Sequence, residues 1–462
     1  MDKFLLLALI SLFLSCNTVE KETDTVFFDG EIVNPIGDYV VLYKGTKIID
    51  STRLDGNNRF SFQLDSIEDG LYHFKHDLEY QYVYFEKGDS LLARLNYTDF
   101  DESLVFSGTN EDVNNFLLEL FLANEKEERM IHQKYFDLEP GEFSNQINTL
   151  KTEKLNALNS LKLESKLSDA AYTLAKASIN YAYYGYMEVY PFKHKRKLRK
   201  NKLPELMDDF YSYRNNVDYN NKSLIYLRPY YDFMKAHFGN LSYMTCSRKC
   251  GIKGKIVNNQ LHFNKHKLKV IDSLINEKEL RDNLFRNVAF NYLLKEHDVP
   301  ENHEIFIAAF RKVSENNMHK EEIENLYRGI QNIQPRKPVP DIKVVSVDDQ
   351  NISLSEITKN RKVIFYFWSA AYKRHHENIF KRIKQLQKEN SGYEFVGINI
   401  KTRPENWKGL IQSFELDPAK QYRADNFEEL SEKLVLYPMN KCIITEDAKI
   451  VDAFSNIYAK QL

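Results

Sequence analysis

The stretch that most constrains the fold is residues 363–376. Residues 363–368 form an apolar run that ends in Phe367 and Trp368, which is typical of a strand. A short turn begins at Ser369, and a charged sequence with the character of a helix follows. Because a hydrophobic strand leads directly into a helix, this part of the chain is predicted to form an α/β domain.

The sequence around this stretch continues the same alternation. Further strands are predicted at residues 393–400, 442–445 and 449–454, and helices at residues 373–389, 405–414 and 427–434. Residues 335–340 contain three prolines, which favour extended backbone and lack an amide donor. We therefore predict a linker at residues 334–341 and an α/β domain, closed by a β-hairpin, at residues 342–462.

The same residues carry a resemblance to a known family. A strand that ends in Phe-Trp, a turn, a charged helix and a later Tyr437-Pro438 resemble thioredoxin-like domains of TlpA-like envelope lipoproteins. In that family Cys-x-x-Cys stands at the start of the helix, and here the two cysteine positions hold Tyr372 and His375. Pro438 matches the proline that faces the active site and is cis in thioredoxins. The resemblance implies a thioredoxin-like fold with a degenerate active site at Trp368, Tyr372, His375 and Pro438.

The residues at this site lack the chemistry of the family. Thiol–disulfide exchange needs a thiolate nucleophile and a second cysteine that resolves the mixed disulfide. The Tyr372 phenol, with an ordinary pKa of about 10, has no such exchange chemistry, and His375 cannot resolve a disulfide. No cysteine lies between residues 336 and 441. We expect no thiol catalysis here; instead Trp368, Tyr372 and Pro438 would form a shallow aromatic surface for a peptide, or simply preserve the fold.

The chain has four cysteines, and two of them lie close together. Cys246 and Cys250 are separated by three residues, which is neither redox nor zinc spacing. They are predicted to form either a small structural disulfide or two free thiols. An alternative function uses them as the redox pair of a thiol–disulfide oxidoreductase related to cytochrome c maturation. Cys442 is predicted to be a small buried apolar residue.

The N-terminus predicts an envelope location. Residues 4–14 are an apolar run that is too short to span a bilayer and suits a signal peptide at residues 1–15. Ser15 followed by Cys16 resembles a bacterial lipobox, which implies that Cys16 is lipidated and that residues 16–25 form a tether. The alternative is an ordinary secretory signal with an incidental cysteine. Because Asn17 is not the aspartate that retains some lipoproteins in the inner membrane, we expect the outer membrane.

Residues 26–108 alternate between apolar and polar side chains, with Asp-Gly and Lys-Gly-Asp turns between the runs. Strands are predicted at residues 26–33, 39–43, 59–64, 80–85 and 90–95. Short strands at this spacing predict a small antiparallel β-sandwich or barrel, of which we expect the sandwich.

Residues 109–333 are predicted to be an α-helical domain because apolar residues recur at helical spacing. The clearest segments are residues 112–128, 143–163, 168–190, 264–276 and 277–295, and Ser168 is a candidate N-cap. The tyrosines between Tyr172 and Tyr186 suggest either a ligand groove or packing against neighbouring elements. The basic run at residues 193–202 suggests either contact with an anionic surface or a solvated loop.

Composition limits the classes of function. A chain of 462 residues is long enough for several domains, and its net charge of −2 does not predict nucleic-acid binding. His375 and His376 are adjacent and cannot share one helix face, so neither a metal nor a cofactor is expected. The overall prediction is a multidomain envelope protein with a β-sandwich, a helical middle region and a thioredoxin-like domain. Its expected partners are the membrane, through the lipid anchor, and an envelope protein or peptide.

Overall fold

The computed structural model describes residues 24–77, 79–165, 167–246, 252–253, 256–257, 259–295, 298–370, 373–402, 404–436 and 439–459. The chain divides into two compact units, Met1–Asn240 and Leu241–Leu462. The division falls inside the stretch predicted as one helical domain. The predicted signal peptide and Cys16 lie outside the described residues, as do Cys250, Tyr372 and Pro438.

The first unit begins with eight strands. They are β1 (Val26–Val33), β2 (Tyr39–Lys44), β3 (Lys47–Arg53), β4 (Arg59–Leu64), β5 (Gly70–His76), β6 (Glu79–Phe85), β7 (Ser90–Asn96) and β8 (Val105–Gly108). The five predicted strands are present with bounds that differ by at most one residue, whereas β3, β5 and β8 were not predicted.

These strands form two four-stranded sheets, in the orders β4-β1-β7-β8 and β3-β2-β5-β6. One core joins them, since the Phe28 ring lies 6.1 Å from Phe62 in its own sheet and 5.5 Å from Phe74 in the other sheet. The prediction of purely antiparallel pairing was wrong, because β1 and β7 run parallel. The five strands between them provide the long crossover that a parallel pair requires.

Five helices follow or interrupt these strands: α1 (Phe100–Ser103), α2 (Glu111–Gln133), α3 (Pro140–Glu164), α4 (Asp169–Lys197) and α5 (Arg228–Cys246). Ser168 is the N-cap of α4, as predicted, and its hydroxyl accepts a hydrogen bond from the Ala171 amide at 3.0 Å. Asn114 holds α2 against β6, because its side chain bonds both the amide and the carbonyl of Tyr84, at 2.7 and 3.0 Å.

The second unit contains a helical part and a sheet. Its helices up to residue 332 are α6 (Gln260–Leu274), α7 (Lys278–Lys295), α8 (Pro300–Val313) and α9 (Lys320–Asn332), with the short strands β9 (Ile252–Lys253) and β10 (Ile256–Val257) before them. The remaining strands are β11 (Lys343–Ser346), β12 (Asn351–Ser353), β13 (Lys362–Trp368), β14 (Glu394–Asn399), β15 (Gln421–Ala424), β16 (Cys442–Glu446) and β17 (Lys449–Asp452). The helices between them are α10 (Leu354–Thr358), α11 (Lys373–Glu389), α12 (Pro404–Ser413) and α13 (Phe427–Leu434).

The seven last strands form one sheet in the order β12-β11-β15-β14-β13-β16-β17. The central strands β13, β14 and β15 run parallel, and β16 runs antiparallel to β13. One face carries a core of apolar residues from β13, α11 and α12, among them Trp368, Phe380 and Trp407. The carboxyl ends of β13 and β14 therefore meet at one edge of the sheet, which is where α/β folds place their ligands.

The segment predicted as a linker is bonded to the β16–β17 hairpin. The Arg336 amide donates to the Ile450 carbonyl at 2.7 Å, and the Ile450 amide donates to Lys337 at 2.8 Å. Val339 donates to the Ala448 carbonyl at 2.9 Å and is buried. The prolines alternate with residues that supply these amides, so a proline-rich segment can still pair along a sheet edge.

Candidate functional site

The candidate site lies where β13 ends and α11 begins. Trp368 is the last residue of β13, and its partner in the parallel register is Asn399, the last residue of β14. Ala370 is held in place beyond the strand, because its amide donates to the Thr402 hydroxyl at 3.0 Å. This edge corresponds to the position at which the sequence predicts a degenerate active site.

Trp368 belongs to the core of the domain. Its side chain is fully buried, and the indole Nε1 donates to Gln421 Oε1 at 3.2 Å. The Gln421 amide donates in turn to the Tyr366 hydroxyl at 2.9 Å. A Cβ at Gly397 would lie 2.2 Å from Gln421 Oε1, so glycine is required for the two side chains to meet there. The predicted aromatic surface is therefore wrong for Trp368, since the bond to Gln421 holds this ring inside the domain.

The two adjacent histidines have different surroundings, as consecutive helical positions require. His376 is buried, its Nδ1 lies 3.0 Å from the Ser369 carbonyl oxygen, and its ring lies 5.4 Å from that of Phe414. His375 is half-buried, and neither of its ring nitrogens makes a hydrogen bond of normal geometry to a described residue.

The charge state of His375 follows from this environment. Burial lowers the pKa of His375, the neighbouring His376 lowers it further, and the Asn440 side chain opposes both effects. The imidazole is therefore neutral near pH 7, with one nitrogen that can donate and one that can accept a hydrogen bond.

Asn399 is a second residue at this edge with unsatisfied groups, and the sequence did not single it out. It is fully buried, and neither its amide nitrogen nor its oxygen has a hydrogen-bond partner in the described part of the chain. Leaving such a group unpaired costs about 1–3 kcal/mol. The sequence feature that could have singled out Asn399 is a polar amide at the end of a mostly apolar strand.

Neither described cysteine is an accessible thiol. Cys442 lies on β16 and is fully buried, as predicted, and burial raises the pKa of its thiol to about 12. Cys246 is also buried, and it is disulfide-bonded. Its partner lies outside the described residues, so the pairing with Cys250 stays a prediction.

Lys441 was not predicted either, and it fixes the chain just after Pro438. Its ammonium donates to the carbonyls of Leu434 and Val435 at 2.6 and 2.9 Å, at the C-terminal end of α13. Burial lowers the pKa of Lys441 to about 7. The lysine therefore joins the end of α13 to the start of β16.

The tyrosines of α4 pack against neighbouring elements, and two of them also line a cavity. Tyr183 donates to Glu127, and the Tyr184 ring stacks on Tyr213 with centroids 4.4 Å apart. The Tyr181 ring lies 4.8 Å from that of Tyr230, and Tyr181 and Tyr186 line a cavity in the first unit. Whether that cavity is a ligand groove stays a prediction.

The basic run at residues 193–202 is not simply a solvated loop, because α4 continues to Lys197. Lys197 pairs with Asp137 at 2.7 Å, and Lys200 pairs with Glu139 at 3.0 Å. His194 is buried, with its Nδ1 3.0 Å from the Phe136 carbonyl oxygen. These pairs within the first unit occupy two of the positive charges that were considered for contact with an anionic surface.

The described residues contain neither a membrane-spanning helix nor a metal-binding cluster. No helix among them is both long and apolar enough to cross a membrane. They also contain no group of three or more histidine, cysteine, aspartate or glutamate side chains positioned to hold a metal ion.

The second unit contains a thioredoxin-like domain. Its parallel β13–β14 pair is joined by α11, and the antiparallel β16–β17 hairpin is added on the other side of β13. This arrangement, together with the site at the start of α11, is the basis of the assignment.

The comparisons with known proteins found similarity to solved structures only. No family model and no curated protein matches the chain. The chain is similar to a thiol-disulfide oxidoreductase from Bacteroides fragilis, with 19% identity over 25% of this chain and 88% of that one and a TM-score of 0.23. It is also similar to the thioredoxin domain of a thiol-disulfide oxidoreductase from Bacteroides vulgatus, with 20% identity over 25% of this chain and 85% of that one and a TM-score of 0.23. A thioredoxin-like protein from Bacteroides caccae shares 12% identity over 43% of this chain and 74% of its own, with a TM-score of 0.31.

Proposed function

We propose that this protein is a membrane-tethered thioredoxin-like module of the bacterial cell envelope that binds an extended peptide or protein segment without thiol chemistry. The observation that carries the proposal is His375. It stands where the family has its second cysteine, and its buried ring nitrogens make no hydrogen bond of normal geometry to a described residue, although the Asn440 side chain interacts with the ring. Such a site has lost the redox groups but keeps polar groups that a ligand can satisfy.

The absence of an accessible thiol in the described residues supports redox inactivity. Exchange requires a thiolate, and a thiol with a raised pKa inside a core supplies almost none at neutral pH. Cys442 has that environment. The alternative oxidoreductase built on Cys246 and Cys250 is disfavoured, because Cys246 is only 2% exposed and an attacking thiol must reach it.

The position of His375 supports binding. The neutral imidazole lies at the N-terminal turn of α11, beside the ends of the parallel strands, where an extended ligand can pass. A peptide carbonyl or amide that reaches the ring would satisfy one of its buried nitrogens. Satisfying one buried polar group in this way contributes about 1–3 kcal/mol to binding.

The redox part of the proposal is tested by insulin reduction with the full mature chain. We expect no turnover above the rate of the reductant alone. The double variant Tyr372→Cys/His375→Cys restores the spacing of the family, and we expect it to gain dithiol–disulfide cycling. Clear turnover by the unaltered protein would contradict the proposal, and alkylation mass spectrometry of Cys246 and Cys250 would then identify the thiols responsible.

The binding part is tested by selecting extended peptides from a displayed library on the full mature chain. We expect His375→Ala to weaken the selected peptides at least tenfold in titration calorimetry. His262→Ala, at an exposed position on α6, is the matched control and should leave the affinity unchanged. Equal binding by both variants would place the ligand elsewhere and overturn the assignment of this site.

The tether is tested in cells of a diderm bacterium by labelling with an alkyne-tagged fatty acid. We expect label on the wild-type protein and none on Cys16→Ala, which should move from the membrane to the soluble fraction. A Cys442→Ala variant controls for the loss of a cysteine and should remain labelled. Absence of label on the wild-type protein would argue for an ordinary secretory signal, and labelling that survives Cys16→Ala would argue for another anchor.

A further inference from the structure

The first unit contains a cavity that the proposed function does not use. Its volume is about 430 Å³, and it lies between β5, β6 and the helices α2, α4 and α5. Volumes of 300–1,000 Å³ are typical of sites for small organic ligands. Every residue that lines it belongs to the first unit.

One side of the cavity is formed by α4, which contributes three residues with small side chains or none. Ser178, Ala182 and Gly185 all line it, and their spacing puts them on one face of the helix. A Cβ at Gly185 would meet nothing closer than the Phe233 Cα at 4.0 Å. A larger side chain at Gly185 therefore has room, and the glycine costs helix stability of about 0.5–1 kcal/mol relative to alanine.

The walls are aromatic. Five rings line the cavity: Tyr82, Phe121, Tyr181, Tyr186 and Phe233. Burial raises the pKa of Tyr181 and Tyr186, so both phenols stay neutral at physiological pH. Aromatic faces carry negative partial charge and attract organic cations by about 0.5–2 kcal/mol each.

The rim of the cavity carries carboxylates on α2. Glu125 and Glu128 both line it, and Glu125 makes no ion pair within the described residues. The imidazole of His132 lies 3.6 Å from the Glu128 carboxylate. Burial lowers the pKa of His132, and Lys193 lowers it further, so this imidazole is neutral near pH 7.

Two basic residues, Lys193 and Arg228, also line the cavity, together with a third carboxylate, Asp232. Arg228 lies 3.5 Å from Asp232, so its charge is partly compensated there, and Lys193 lies on α4 at the His132 end. Two carboxylates of α2, those of Glu125 and Glu128, thus line the same cavity as the aromatic rings.

We propose that this cavity binds a small organic cation with an aromatic or branched apolar body, with its ammonium group beside Glu125 and Glu128. The apolar body occupies the space over Ser178, Ala182 and Gly185, between the aromatic rings. The site is independent of the degenerate thioredoxin site, since it lies in the other compact unit.

The test uses three probes that share one body and differ only in charge: 1-naphthylmethylamine, 1-naphthylmethanol and 1-naphthylacetate. Titration calorimetry of the full mature chain at pH 7 should show the amine binding at least tenfold more tightly than the alcohol, and the acetate weakest. Failure of all three probes to bind at millimolar concentration overturns the proposal, as does binding of the acetate as tightly as the amine.

Variants separate the contribution of charge from that of space. Glu125→Gln/Glu128→Gln should reduce the preference for the amine over the alcohol at least fivefold, whereas Glu119→Gln, an exposed carboxylate on the same helix, should not. Gly185→Leu should fill the cavity and remove binding of amine and alcohol alike. If Gly185→Leu leaves amine binding intact, or the double variant keeps the full preference in a folded protein, the cavity is not the site.

Discussion

Two buried polar regions of this protein differ in how completely their groups are satisfied. In the first unit, Glu188 is fully buried, and its carboxylate is bonded by Arg214 at 2.9 Å, by Asn240 at 2.8 Å and by His237 Nδ1 at 2.7 Å. In the second unit, His375 and Asn399 have buried polar atoms without such bonds.

Whether a buried polar group is hydrogen-bonded indicates whether it serves to hold the fold together or to bind a ligand. A buried charge is tolerated when it is fully hydrogen-bonded, and such a network mainly holds neighbouring elements in register. Glu188 bonds two segments that are distant in sequence, one at Arg214 and one on α5. An unpaired buried group instead destabilises the fold, so its presence beside a sheet edge favours a role in binding.

The largest expected effect is at Glu188. Glu188→Ala leaves Arg214 without its carboxylate, and removing one partner of a buried ion pair costs about 3–5 kcal/mol. We expect a loss of this size in urea unfolding of the first unit. Glu205→Ala, at an exposed position between α4 and α5, should change stability by less than about 0.5 kcal/mol, as surface substitutions do.

Acid should weaken the same network. Burial alone would raise the pKa of Glu188, but hydrogen bonds from His237 and Arg214 lower it to about 2. Because the folded pKa lies below the unfolded value near 4.3, this stability is present above that value and is lost as pH falls toward 2. The stability difference between wild type and Glu188→Gln should therefore shrink from pH 5 to pH 2, and a constant difference would contradict the assignment.

A smaller effect is expected at Lys441. Lys441→Met removes both bonds to the carbonyls at the end of α13 and should cost about 1–3 kcal/mol in the unfolding of the second unit. Lys449→Met, on the same hairpin but exposed, is the control and should be nearly neutral. Equal stability of the two variants would show that the Lys441 bonds do not hold the chain after Pro438.

Effects of similar or smaller size are expected at two buried asparagines, one in each of the two regions compared. Asn240→Leu removes a donor to Glu188 and should destabilise by about 1–3 kcal/mol, whereas Asn399→Leu removes unpaired groups and should be neutral or stabilising by about 1 kcal/mol. Differential scanning calorimetry of both variants gives the signs. If both destabilise equally, the two regions do not differ in the way described.

The sequence predicted local structure well where side-chain periodicity is strong. The strands β1 and β4 alternate in burial along their length, and their bounds were predicted without error. β3 was missed because it has no fully buried residue, so no alternation marks it. The parallel pairing of β1 with β7 depends on contacts between distant segments, which periodicity cannot predict.

The sequence predicted where the candidate site lies but not the contacts that its residues make. The apolar run before Trp368 and the charged helix after it locate the site, because strand and helix patterns are local. The burial of Trp368 depends on Gln421, which is distant in sequence and meets the indole only after β14 and β15 pair. Asn399 became a candidate only when the parallel register placed it beside Trp368.

The proline-rich segment before the last domain has a consequence for aggregation. β17 is the terminal strand of its sheet, and an uncovered terminal strand invites pairing with another chain. The backbone from Arg336 to Val339 occupies that side, and its prolines cannot donate to a further strand. A fragment that begins at residue 342 would lose this cover, and we expect it to self-associate where one that begins at residue 334 stays monomeric.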